Sequence, residues 1–199
     1  MIRSLPFVLL AQAAMAQPAL EVSLLPAQGL VYGYHDVPWT TPRGGDNVKW
    51  DFSALPRGMI VPYAVHGPHL APGAEAFLSA ATVLQVPGEP AAYFQMGDTA
   101  LFWLGTASVD DIVRFDPPIP WIHRPAQMRD RWTDSSLAAV TGGGRIELRV
   151  TRYTVTADGF GTLVMPYGGV PDVLRLRHDL RVRNERVPDD PERWEVRYS

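Results

Sequence analysis

His66-Gly67-Pro68-His69 is the sharpest metal-binding pattern in this chain, because two imidazoles close together on a loop can share one ion. Zinc asks for three or four ligands braced by further hydrogen bonds, so two solvent-facing histidines on a Gly-Pro loop is the plainer interpretation. His35-Asp36 and His178-Asp179 each join an imidazole to a carboxylate. Neighbours on a strand point to opposite faces, however, so neither pair forms a dyad, and His178 reads as a structural histidine. Ser135 and Ser136 lack the G-x-S-x-G elbow of a serine hydrolase. Asp110, Asp111 and Glu147 are the carboxylates from which a glycosidase would draw its pair. Gly142-Gly143-Gly144 has neither the lysine nor the following helix of a phosphate loop and reads as a hairpin tip. The absence of cysteine removes thiol catalysis and all-cysteine zinc sites, and nothing in the sequence implies a cofactor.

Two binding surfaces carry more weight. Arg145, Arg149, Arg175, Arg177, Arg181 and Arg183 alternate along two segments and can share one sheet face, a basic stripe suited to an anionic glycan or an acidic partner. With Glu147 and Asp179 in cross-strand ion pairs, the same stripe would be an ordinary solvated face. Trp39, Trp103, Trp121 and Trp194 pose a similar choice between a sugar-stacking platform and buried core.

Positioning such groups falls to β-strands. The chain holds 19 prolines and 17 glycines, which interrupt any long helical pattern and suit an all-β fold rich in turns. Strands are expected at Leu20 to Leu25, Leu30 to Tyr34, Val48 to Phe52, and Met59 to Val65, where Pro62 implies an edge or a bulge. Glu75 to Leu84 fits a short helix or a strand. Gly97-Asp98 joins Ala91 to Met96 and Thr99 to Leu104 as a hairpin. Asp110 to Phe115 reads as a strand, and Asp116 to Pro120 as an extended segment excluded from the middle of a sheet. Further strands are expected over Arg131 to Val140, Arg145 to Val155, Phe160 to Met165 after an Asp158-Gly159 turn, and Val173 to Arg183 after a loop from Pro166 to Pro171. In the last of these Leu174, Leu176, His178, Leu180 and Val182 face inward. The pattern gives long antiparallel strands with one wet face, and hence a single β-sandwich of jelly-roll type.

Residues 1–16 have the form of a secretory signal peptide: Arg3, an apolar run from Leu5 to Ala14, and Ala14-Met15-Ala16 as the cleavage pattern. The remaining span, 17–199, is the size of one domain. The apolar run is too short for a permanent membrane helix. A net charge of -3 gives no overall pull toward nucleic acid or anionic membranes.

Two stretches resemble a type of secreted domain known from Bacteroidota, marked by W-D-F-S-x-L and, far downstream, D-G-[YF]-G-T-L-x-x-P-x-G-x-x-x-x-V-L-R. They stand here as Trp50-Asp51-Phe52-Ser53-Ala54-Leu55 and as Asp158 to Arg175. Such domains often precede a type IX secretion sorting domain. The resemblance implies export to the periplasm or beyond, without assigned chemistry. The expectation is therefore an exported binding or structural module with a glycan or protein partner in the envelope. A carbohydrate-active or other secreted hydrolase is the alternative. A subunit of a larger assembly is a third, signalled by an exposed apolar patch or an open sheet edge.

Overall fold

The computed structural model describes residues 29–34, 43–54, 60–166, 168–184, 186–187 and 191–198. The expected leader at 1–16, the strand expected at Leu20 to Leu25, His35-Asp36 and Trp39 lie outside the described residues. The described strands form one sheet: β1 (Gly29–Tyr34), β2 (Gly45–Asp51), β3 (Ile60–His66), β4 (Thr82–Gln85), β5 (Ala91–Met96), β6 (Ala100–Ala107), β7 (Asp111–His123), β8 (Arg131–Gly142), β9 (Arg145–Met165), β10 (Gly168–Asn184) and β11 (Arg193–Tyr198). From β3 to β11 each strand pairs antiparallel with the next, and β1 adds to β3. β2 runs parallel to the second half of β9. The protein is thus all-β and antiparallel in the main, as expected. No helix among the described residues is long and apolar enough to cross a membrane.

The sheet curls so that β6 and β7 face β9 and β10. Trp103, Phe115, Ile119, Ala138, Tyr153, Val155, Leu174, Leu176 and Leu180 pack together on the inner face. His178 is buried among them as expected, its ring stacked on Trp121 at 3.9 Å. A second cluster covers the opposite face of β4 to β6, where the loop after β3 lays Phe77 on Tyr93 at 4.2 Å and Tyr93 donates its hydroxyl proton to Pro72 O. β6 is therefore buried on both sides, which explains its unbroken apolar run Ala100 to Leu104. The Gly97-Asp98 hairpin forms between β5 and β6, closed by Gly97 N–H donating to Ala100 O at 2.9 Å. The ambiguous Glu75 to Leu84 segment divides into a single 3-10 turn, Ala74–Ala76, and the start of β4. β11 pairs with β10 within this sheet.

Three expectations are corrected. The proline-rich Asp116 to Pro120 segment belongs to β7, between β6 and β8. It fits because the backbone ladder with β8 stops at Asp116. Beyond that point Ser136 Oγ donates to Pro117 O at 2.6 Å and Trp132 Nε1 to Pro120 O at 2.9 Å, so side-chain donors from β8 satisfy proline carbonyls that lie past the end of that ladder.

Asp158-Gly159 is not a turn. β9 continues through it for 21 residues, and Asp158 is the extra residue of a bulge opposite Arg175 and Leu176. The glycines there serve close approach. A Cβ on Gly159 would lie 2.7 Å from the Trp50 ring, and one on Gly161 would lie 1.8 Å from Val48 O, so they make room for β2.

Pro166 to Pro171 is likewise no open loop, since β10 begins at Gly168 and absorbs Pro171 and Asp172 in a second bulge, with Asp172 at φ 56°.

Gly161→Ala is expected to lower the unfolding free energy by about 3 kcal/mol, at the upper end of overpacking costs, because the methyl group meets backbone rather than a movable side chain. Chemical denaturation of the two proteins measures the difference.

Candidate ligand-binding cleft

β9 keeps one register with β8 from Arg145 to Thr156, so its alternation of faces is unbroken there. Tyr153, Val155 and Ala157 point into the inner core. Counting back by twos, Thr151, Arg149, Glu147 and Arg145 lie on that same inner face. Ile146, Leu148 and Val150 lie on the outer one, with Ile146 60% exposed. The apolar residues of this half-strand thus face away from the core, the reverse of what their hydrophobicity suggests. The strand outruns its core: 21 residues span about 70 Å when straight, and the inner packing begins only near Ala138 and Tyr153.

Where the core ends, the inner face opens into two depressions of about 350 and 280 Å³ that meet at Glu147 and Arg149. Such volumes are on the scale of small-molecule sites. Arg145, Asp111 and Thr106 line the first, and Asn184 and Arg193 the second. Arg149 donates to Glu147 Oε2 from Nε at 3.2 Å and from an Nη at 2.7 Å. Those bonds, then the Arg149 charge with smaller contributions from Arg145 and Arg193, hold the Glu147 carboxyl below the usual carboxylate range. With Asp111 the cleft holds two carboxylates to the three guanidiniums of Arg145, Arg149 and Arg193, which leaves forked hydrogen-bond donors in excess for an anion.

The register separates the six arginines of the expected stripe. Arg145 and Arg149 are in the cleft. Arg177, Arg181 and Arg183 pair with Thr156, Arg152 and Val150 and so lie on the outer face. There Arg177 bonds Asp179 at 2.8 Å, two residues along the same strand, and Arg181 comes within 3.9 Å of Glu192. Arg175 is buried, bonded to Asp158 Oδ1 at 2.7 Å and Oδ2 at 2.8 Å with Trp50 above it at 5.7 Å. Its role is to tie β10 to the β9 bulge.

His66 has both ring nitrogens engaged, at 2.9 Å from Gly67 O and 3.1 Å from Gln85 Oε1, while His69 is exposed on the 3-10 turn Pro68–Leu70. No group of three metal-binding side chains occurs among the described residues. Ser136 is buried and bonded to Pro117 O. Trp103 and Trp121 stack edge-on within the sheet, while Trp194 is 65% exposed on the outer face, so these three form no platform. Arg193 and Asn184 were not legible as cleft residues, because Asn184 comes beside Arg149 only through the register of β10 on β9, and Arg193 only through the pairing of β11 with β10. No protein-family model, characterised protein or solved structure matches the chain.

Two outcomes follow. Arg175→Met leaves the Asp158 carboxylate without its guanidinium and is expected to cost about 3 kcal/mol of stability, part of it restored in the double variant with Asp158→Asn; denaturation of the three proteins tests this. Glu147 has a depressed folded-state pKa, so its contribution to stability is complete above the unfolded carboxylate pKa and disappears as pH falls through the folded value. Glu147→Gln should therefore destabilise at pH 7 and have little effect at the acid end of a thermal-midpoint series, whereas a pH-independent difference would contradict the assignment.

Proposed function

We propose that this protein is an exported, non-catalytic binding module that holds an anionic glycan in the arginine-lined cleft. The observation that carries the reading is the convergence of Arg145, Arg149 and Arg193 on Glu147 at the open end of the inner face. Carboxylate or sulfate groups spaced along a saccharide would bond the guanidinium forks, with Asn184 and Thr106 available to sugar hydroxyls. Export rests on the leader pattern of residues 1–16, and membership of the Bacteroidota-type secreted domains on the motifs around Trp50 and Asp158. The packing of β6 and β7 across β9 and β10 supports a sandwich-like architecture, while the sequential strand order supplies no Greek-key crossing of the jelly-roll kind.

A hydrolase reading draws on the presence of Asp111 and Glu147 in the same cleft. A general acid needs a raised pKa, and the arginine surround pushes Glu147 the other way.

Calorimetric titration with hexagalacturonate, against neutral maltohexaose, tests the proposal. Binding of the charged oligomer only is expected, weakened roughly tenfold or more by Arg145→Ala or Arg193→Ala and strengthened by Glu147→Gln. Equal binding of the two oligomers, binding of neither, or indifference to these substitutions would reject it.

A further inference from the structure

We infer that the outer face of β8 to β11 docks on an anionic phospholipid surface. This face is separate from the cleft, and the inference stands without the glycan reading. Leu137 pairs with Val150 and Val150 with Arg183, forming one row across β8, β9 and β10. The next row runs Ser135, Arg152, Arg181, Trp194 and reaches β11. Ile146 and Leu148 extend the apolar part toward the β8–β9 hairpin. Ile146 is 60% exposed, Trp194 65% and Leu137 40%, on a sheet face that would ordinarily be polar. Contiguous exposed apolar groups rimmed by polar ones mark an interaction surface.

The chemistry of the rim selects the occupant. Arg131, Arg152 and Arg183 are exposed and have no ion-pair partner among the described residues, whereas the acidic Asp179 and Glu192 are already matched to Arg177 and Arg181. The face is thus locally cationic on a chain whose overall charge is -3. Aliphatic side chains with an exposed tryptophan, bordered by arginines whose stems can lie along apolar surface while their heads meet phosphate, suit the boundary between headgroups and acyl chains. Each arginine adds attraction to an anionic leaflet that fades with salt.

Vesicle co-sedimentation of the full chain tests this, with phosphatidylglycerol/phosphatidylcholine vesicles against pure phosphatidylcholine. The expected result is binding to the anionic vesicles, reduced by added salt. Arg152→Gln with Arg183→Gln should lower the partition coefficient about tenfold or more, and Ile146→Ser with Trp194→Ser about tenfold. All four positions are exposed, so circular dichroism and thermal midpoints should match the unsubstituted protein. The two double variants, compared within the same chain, separate the patch from any binding by the apolar residues of 1–16. Equal binding to neutral vesicles, no binding, or binding that both double variants retain in full would overturn the inference. So would a dimer in sedimentation velocity that Ile146→Ser with Trp194→Ser dissolves while vesicles are ignored, since the face would then be covered by a second copy.

Discussion

Side chains on a β-strand alternate faces for as long as the strand keeps its register, and β9 keeps it from Arg145 into the core without a bulge. Because Tyr153 and Val155 must point inward to fill the curl of the sheet, Arg145, Glu147 and Arg149 must point inward too, and Ile146, Leu148 and Val150 outward. One constraint therefore creates both surfaces of interest. Where β9 runs past the core, its inner face carries guanidiniums that line an open cleft, and its outer face carries aliphatic groups that water would otherwise disfavour. A single-residue slip in this strand would exchange the two sets and place charged side chains in the core.

The other end of β9 is held by different means. Gly159 and Gly161 lower the strand surface so that β2 can approach, Trp50 lies over Gly159, and the Asp158 bulge turns a carboxylate toward Arg175. Arg129, in the loop before β8, bonds Asp46 of β2 at 3.1 Å, joining the two strands that share one side of β9 end to end. The strand is thus anchored through its second half, and its first half projects from that anchor with the cleft on it.

Much of the fold was legible because most strands obey simple rules. The alternation in Val173 to Arg183 placed Leu174, Leu176, His178 and Leu180 correctly, and Gly97-Asp98 marked a real hairpin. What misled was local chemistry whose partner is remote in sequence. Asp-Gly looks like a turn until Trp50 and Val48, more than a hundred residues earlier, are seen to need the space above it. Prolines 117, 118 and 120 look unfit for a sheet interior until the ladder with β8 is seen to stop at Asp116, with Ser136 and Trp132 donating to the carbonyls of Pro117 and Pro120 beyond it. The arginine stripe failed for a third reason: hydrophobic pattern assigns the apolar side of a strand to the core, and β9 exchanges polarity between Val150 and Thr151 with no break in its pleat. Arg149 and Arg183 look equivalent in sequence and lie on opposite sides of the sheet. Arg193 reaches the cleft only through the pairing of β11 with β10.

The most direct test of this two-faced strand uses the absence of native cysteine. Single cysteines placed in turn at 145 to 150 and spin-labelled would be read by electron paramagnetic resonance for accessibility to an aqueous nickel chelate, with and without anionic vesicles. Vesicles are expected to shield 146, 148 and 150 and to leave 145, 147 and 149 open to water, an alternation of period two along the strand. Shielding without alternation, or shielding of the odd positions, would contradict it.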